Sequence, residues 1–164
     1  MTDDTAYVRG AQRLSQRIQT IRTNLSLPSM VDEITDLLFK RTLQRFDAQV
    51  DPDNVPWRPL AAYTLQRRAR EGFSPGPILQ RTRALRSAIR VIRGAATGAT
   101  YTNTGANSRI GVTDPDIVPY AAAQNKGTDH IPARRFLGIG RLDVKAVDSL
   151  LRRKAAQLQK SLNT

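Results

Sequence analysis

The stretch YAAAQNKGTDHIPARRFLGIG, from Tyr120 to Gly140, gathers the residue types that could do chemistry. It holds the chain's only histidine, His130, two adjacent arginines and a Gly-Ile-Gly triplet. A single imidazole is compatible with a serine triad, but the strand-to-helix Gly-x-Ser-x-Gly elbow that presents such a serine in one large class of hydrolases is not expected. Flanked by Asp129 and Ile131, His130 reads as a loop or interface histidine. Gly138-Ile139-Gly140 starts as a dinucleotide fingerprint does, but the position of its third glycine holds Asp143. No Gly-Lys-Ser/Thr occurs, so a Walker loop is not expected. Glu33 and Glu71 are the only glutamates, and neither sits in a paired-carboxylate arrangement. Asp51 with Asp53, or Asp114 with Asp116, offers two oxygens where calcium takes about six to eight. Cys is absent, which removes thiolate catalysis, disulfides and cysteine-ligated zinc. These readings point away from an enzyme, and no cofactor or metal is expected.

Charge points toward an anionic partner. The chain has 164 residues, enough for one domain with a real core, and a formal net charge of +12. Residues 1–50 nearly balance, with 7 basic and 6 acidic side chains. Arg58 to Arg93 holds 9 basic residues against Glu71 alone, and Arg134 to the end holds 8 against 2. Of the 26 basic residues 21 are Arg, which suits bidentate contact with carboxylate or phosphate. Nucleic acid is one reading, although aromatic residues make up only 5%, too few for a stacking platform. Salt bridges to neighbouring subunits or acidic partners are the other, and the residues do not choose between them. No apolar run is long enough to cross a bilayer, and the first thirty residues lack the apolar region of a secretory signal.

The elements that must position these residues follow from periodicity. Leu14, Ile18, Ile21 and Leu25 make a narrow apolar stripe on a helix, broken at Leu27-Pro28. Ser29 reads as an N-cap, and Met30 to Gln49 as the core helix, with Ile34, Leu37, Leu38, Phe39, Leu43 and Phe46 on a wide apolar face. Asp51–Leu60 contains three prolines and reads as a turn followed by an extended stretch carrying Trp57. A short helix ends at Gly72, FSPGP is a loop, and another short helix around Thr82–Ala88 leads into a strand. Arg90 to Thr113, with turn signals at Asn103–Asn107, predicts a hairpin or small antiparallel sheet. A helical turn ends at Gly127, and a helix runs from Asp143 towards the end. The expected class is α+β: N-terminal helices, a small antiparallel sheet and a C-terminal helix.

Several segments, in order, resemble the phage virion morphogenesis family, the tail completion proteins typified by Mu-like phages. VPWRPLAAYTLQRR (Val55–Arg68) is similar to the family's Pro-Trp-x-Pro-Leu segment, and ILQRTRALRSAI (Ile78–Ile89) to its Ile-Leu-x-x-Thr-Gly segment. IGV before Tyr120 resembles its strand, YAAAQNKG its Tyr-Ala-x-x-His/Gln-x-x-Gly, and IPARRFLG its Pro-Ala-Arg-x-Phe-Leu-Gly. The likeness spans roughly residues 30–160. Three positions depart from it. Arg83 stands where the family has Gly, which implies continuous helix instead of a turn. Gln124 stands where His is frequent, and Arg135 where Pro is frequent.

The Leu14–Leu25 stripe, outside the likeness, reads as an N-terminal helical extension over 1–28, and the resemblance implies a virion morphogenesis (tail completion) domain over 29–164. It implies a non-enzymatic structural protein without cofactors, located in the virion at the tail or neck and assembled in the host cytoplasm. Such proteins are expected to form a homo-oligomeric ring, six-fold, that completes the head-proximal end of the tail and joins it to the head. Implied partners are further copies of the chain, the tail tube protein and head–tail connector proteins, with passing contact with genomic DNA and none with a membrane. Candidate subunit or partner contacts are Trp57, Tyr120, Arg134, Arg135, Phe136 and Leu137. Phe136 and Leu137 can fill a pocket either in their own domain or in the next subunit. The candidate basic patch is Arg81, Arg83, Arg86, Arg90, Arg93, Arg152, Arg153 and Lys154. Two alternatives remain: a basic DNA-binding protein, and a head-side connector ring under the portal.

Overall fold

The computed structural model describes residues 27–73, 76–93, 101–102 and 108–163. The stripe at Leu14–Leu25, with nearly all of the 1–28 extension, and the turn signals at Asn103–Asn107 lie outside the described residues. Helix α1, Leu27–Ala48, starts two residues ahead of the Ser29 cap expected for it. Pro28 does not break it, because proline is tolerated in a first turn, where its missing N–H needs no partner. Phe46 and Leu38 of the predicted face are buried, with Ile34, Phe39 and Leu43 packed against them.

After α1 the chain turns back on itself. Asp51 Oδ1 accepts from the backbone N–H groups of Asp53 and Val55, both at 2.9 Å. Trp57 N donates to Gln49 O at 2.8 Å, which closes the loop and presents Trp57 to the core. Helix α2, Ala62–Arg70, ends in a Schellman arrangement: Gly72 N donates to Ala69 O and Phe73 N to Arg68 O, with Gly72 at φ +74°.

Helix α3, Ala84–Ala88, runs directly into strand β1, Ile89–Arg93. The continuous helix implied at Arg83 does not form. Arg83 adopts the left-handed conformation, φ 60° and ψ 1°, and flanks the helix start. The turn survives without its glycine, at a cost of about 1–2 kcal/mol for an L-residue. Arg83→Gly should therefore raise stability by about 1 kcal/mol, once the extra freedom of glycine in the unfolded chain is offset. Thermal unfolding of the two proteins checks this.

Strand β1 pairs antiparallel with β3, Ser108–Val112, from Ile89 opposite Val112 to Arg93 opposite Ser108. The short strand β2, Tyr101–Thr102, pairs with the other edge of β3, giving the order β1-β3-β2. The central strand has Ile110, Gly111 and Val112 all buried. Helix α4, Val118–Lys126, carries Pro119 in its first turn, and helix α5, Arg141–Leu162, lies against α1. This is the α+β layout the periodicities predict, with α1 packed between the sheet and α5.

Candidate functional site

The segment from Ala133 to Gly140 has no regular secondary structure, yet Arg134, Phe136, Leu137 and Gly140 are buried. Buried irregular backbone must find hydrogen-bond partners elsewhere. Here side chains of distant residues, and one backbone carbonyl, supply them. Asn125 Oδ1 accepts from both Phe136 N and Leu137 N at 2.8 Å. Arg45 Nη1 donates to Phe136 O at 3.1 Å and Gly138 O at 2.9 Å. Trp57 Nε1 donates to Arg135 O at 3.0 Å, and Arg134 N to Gln124 O at 2.7 Å. Phe136 then packs on Phe46, whose other neighbour is Trp57, each pair of ring centroids 5.4 Å apart.

Asp143 anchors the end of the segment. Its side chain is fully buried and accepts from Arg41 Nε at 2.6 Å, from Arg45 Nη2, and from Gly140 N at 2.8 Å. The last contact is the carboxylate half of a capping box at the start of α5. Burial pulls the Arg45 guanidinium below its ordinary pKa, and the Asp143 charge opposes that shift. Gly138-Ile139-Gly140 serves packing. A Cβ on Gly140 would fall 1.9 Å from Pro52 O and 2.4 Å from Pro52 C, both backbone atoms. Gly140→Ala should cost about 3 kcal/mol, the upper end for overpacking, measured by urea unfolding.

Of the candidate contact residues, Trp57, Arg134, Phe136 and Leu137 are buried within the chain itself, while Tyr120 and Arg135 stay exposed. Arg134 forks onto backbone carbonyls, Nε to Arg58 O at 2.9 Å and Nη2 to Pro59 O at 3.2 Å. Gln124, in place of the family's His, is buried and its Oε1 accepts from Arg134 Nη1 at 3.4 Å. Arg135 reaches Asp53 at 3.6 Å.

The basic-patch residues are spread over several elements, and most are ion-paired. Arg86 pairs with Asp47, Arg93 with Asp32 and Asp36, and Lys154 with Glu33, so that each straps onto a carboxylate of α1. The two α1 carboxylates raise the Arg93 pKa. Arg81 pairs with Glu71 and Arg152 with Asp148. Arg83, Arg90 and Arg153 make no ion pair among the described residues.

An open groove of about 1020 Å³ lies between α2, the approach to α3, and α4 with the loop that follows it. Tyr63, Arg67 and Arg68 line one side, and Tyr120, His130 and Arg134 the other. His130 is exposed on the rim. Partial burial holds the Tyr120 phenol above its ordinary pKa, while the charges of Arg68, Arg134 and Arg81 act to lower it. One pattern escaped the sequence reading: Gly72-Phe73-Ser74-Pro75-Gly76 does spell Gly-x-Ser-x-Gly. It follows the end of helix α2 where an elbow needs a strand. Among the described residues no group of three His, Cys, Asp or Glu could hold a metal ion.

The sequence model of the phage virion morphogenesis family matches residues 8–156, nearly the whole chain. The chain belongs to that family. No curated protein and no solved structure matches it. Family membership places the protein in phage virion assembly as a virion component. The family match covers the frame around Asp143, the groove and the straps on α1. No described helix is long and apolar enough to cross a membrane.

Sequence reasoning did not single out Arg45, Asn125, Arg68 or Asp143. Two of them carried a signal. Arg45 lies seven residues after Leu38, on the apolar stripe of α1, where a solvated arginine is out of place. Asp143 stands three residues after Gly140 and ahead of an apolar run, the spacing of a capping carboxylate. Asn125 and Arg68 carried none.

Proposed function

We propose that this chain is a non-enzymatic subunit of a homo-oligomeric ring, most simply a hexamer. The ring finishes the head-proximal end of the phage tail and joins it to the filled head. Membership of the virion morphogenesis family carries this reading. The chemistry of the Arg134–Asp143 segment agrees with it: its polar groups hold backbone in place and leave no nucleophile–base pair poised for reaction. Partners under this reading are other copies of the chain, the tail tube protein and the connector proteins of the head. The straps on α1 use charge that a DNA-binding surface would need free.

Electron microscopy of lysates from a phage lacking this gene tests the reading. Full heads lying apart from complete or overlong tails are expected. Heads that leak DNA would move the ring to the head side, under the portal, where twelve-fold symmetry fits better. Intact infectious particles would overturn an assembly role. In the same background His130→Ala should restore full titre.

A further inference from the structure

The groove holds two arginines whose charge no described residue answers. Arg68 is 7% exposed and Arg134 is 6% exposed, as buried as Arg45 at 6%. Arg45 has Asp143. Arg68 and Arg134 have no carboxylate partner among the described residues. Arg134 donates only to neutral acceptors, two carbonyls and the Gln124 amide. Arg68 Nη1 meets Gly76 O and Pro77 O, both at 3.4 Å, the outer limit of a hydrogen bond. A buried cation without a counter-charge is costly, and a carboxylate entering from outside would relieve it. The groove's own Glu71 is already taken by Arg67 and Arg81. Asp116 and Asp129 are exposed and pair with neither buried arginine.

We propose that this groove is a docking site for an acidic segment of a partner polypeptide, one carboxylate of which seats against Arg68 and Arg134 beside the Tyr120 hydroxyl. The walls favour a peptide over nucleic acid. Tyr63 is 72% exposed and Tyr120 47% exposed, and with Leu60 and Ile131 they offer apolar contact to residues flanking the acid. A volume of about 1020 Å³ takes several residues of extended chain. The cations are recessed, so a single side chain reaches them where the phosphates of a rigid duplex do not. The site follows from the groove's own chemistry and stands or falls separately from the ring reading.

The test uses the purified full chain and fluorescein-labelled hexapeptides of alternating Glu and Leu, or of Gln and Leu. The Glu peptide should bind about tenfold more tightly, as expected for one charge-assisted contact. Tyr120→Phe, which removes only a hydroxyl at a half-exposed position, should weaken the Glu peptide selectively. Thr64→Glu supplies a carboxylate four residues before Arg68 on α2. It should raise the melting temperature and abolish peptide binding together. Equal binding of the two peptides would overturn the proposal. So would Thr64→Glu lowering the melting temperature and leaving peptide affinity unchanged, or a duplex DNA probe binding at this groove in preference to the Glu peptide.

Discussion

Asp143→Ala should lower the free energy of unfolding by about 3–5 kcal/mol, the cost of stranding a buried charge when its partner is removed. The carboxylate is fully buried and serves three donors: Arg41 Nε, Arg45 Nη2 and Gly140 N. Arg41 is half-buried and water can replace its lost partner. Arg45 is buried, so its guanidinium keeps only the carbonyls of Phe136 and Gly138. Asp143→Asn keeps the shape and an acceptor for Gly140 N but loses the charge. It should fall close to the alanine variant, which separates the ion pair from the helix cap. Arg45→Ala should cost about as much, and the double variant less than the sum of the two, because they break one interaction. Urea unfolding followed by Trp57, the chain's only tryptophan, measures all four. A loss under 1 kcal/mol for Asp143→Ala would show that the network is not what holds the Arg134–Asp143 segment.

Phe46→Ala should cost about 3–5 kcal/mol by a different route, lost transfer energy plus the cavity left behind. Phe46 is fully buried and touches both Trp57 and Phe136, so one ring joins α1, the proline-rich stretch and the Ala133–Gly140 segment. One edge-on and one tilted ring contact disappear along with the apolar area. Phe46→Leu keeps most of the volume and should lose much less. The indole environment reports the change directly: the Trp57 emission of the alanine variant should shift towards the red before global unfolding, as water reaches the ring. An unshifted spectrum with a small stability loss would mean that the three elements are held together elsewhere.

Legibility divides along a physical line. The apolar stripe of Met30 to Phe46 is local, so α1 could be read from spacing, apart from its start. There the Leu27-Pro28 signal was ambiguous, because proline both ends helices and begins them. Gly72 and Gly127 mark helix ends because the left-handed conformation is a property of the residue itself. Arg83 reverses that logic. Its sequence neighbours allow helix, and the tertiary fold holds the turn against the residue's preference. The basic blocks were visible as composition, but composition has no direction. Only the fold shows that Arg86, Arg93 and Lys154 reach across the surface to the carboxylates of α1.

By itself the sequence determined the order and type of the elements after Pro28, the absence of cysteine chemistry, and a resemblance to the family that the comparison with family models confirms. These depend on short-range spacing and on residue identity. The tertiary structure decided that Arg134 and Arg45 work as internal clamps, that Gly140 is a packing contact under Pro52, and that two guanidiniums lie buried with no carboxylate partner among the described residues. Each of these joins residues distant in the chain, as when Arg45 meets Asp143 across 98 positions. No spacing rule reaches that far. Such contacts exist only once α1, the loop from Gln49 to Trp57 and α5 have packed, because it is burial that turns a solvated charge into one that needs a partner.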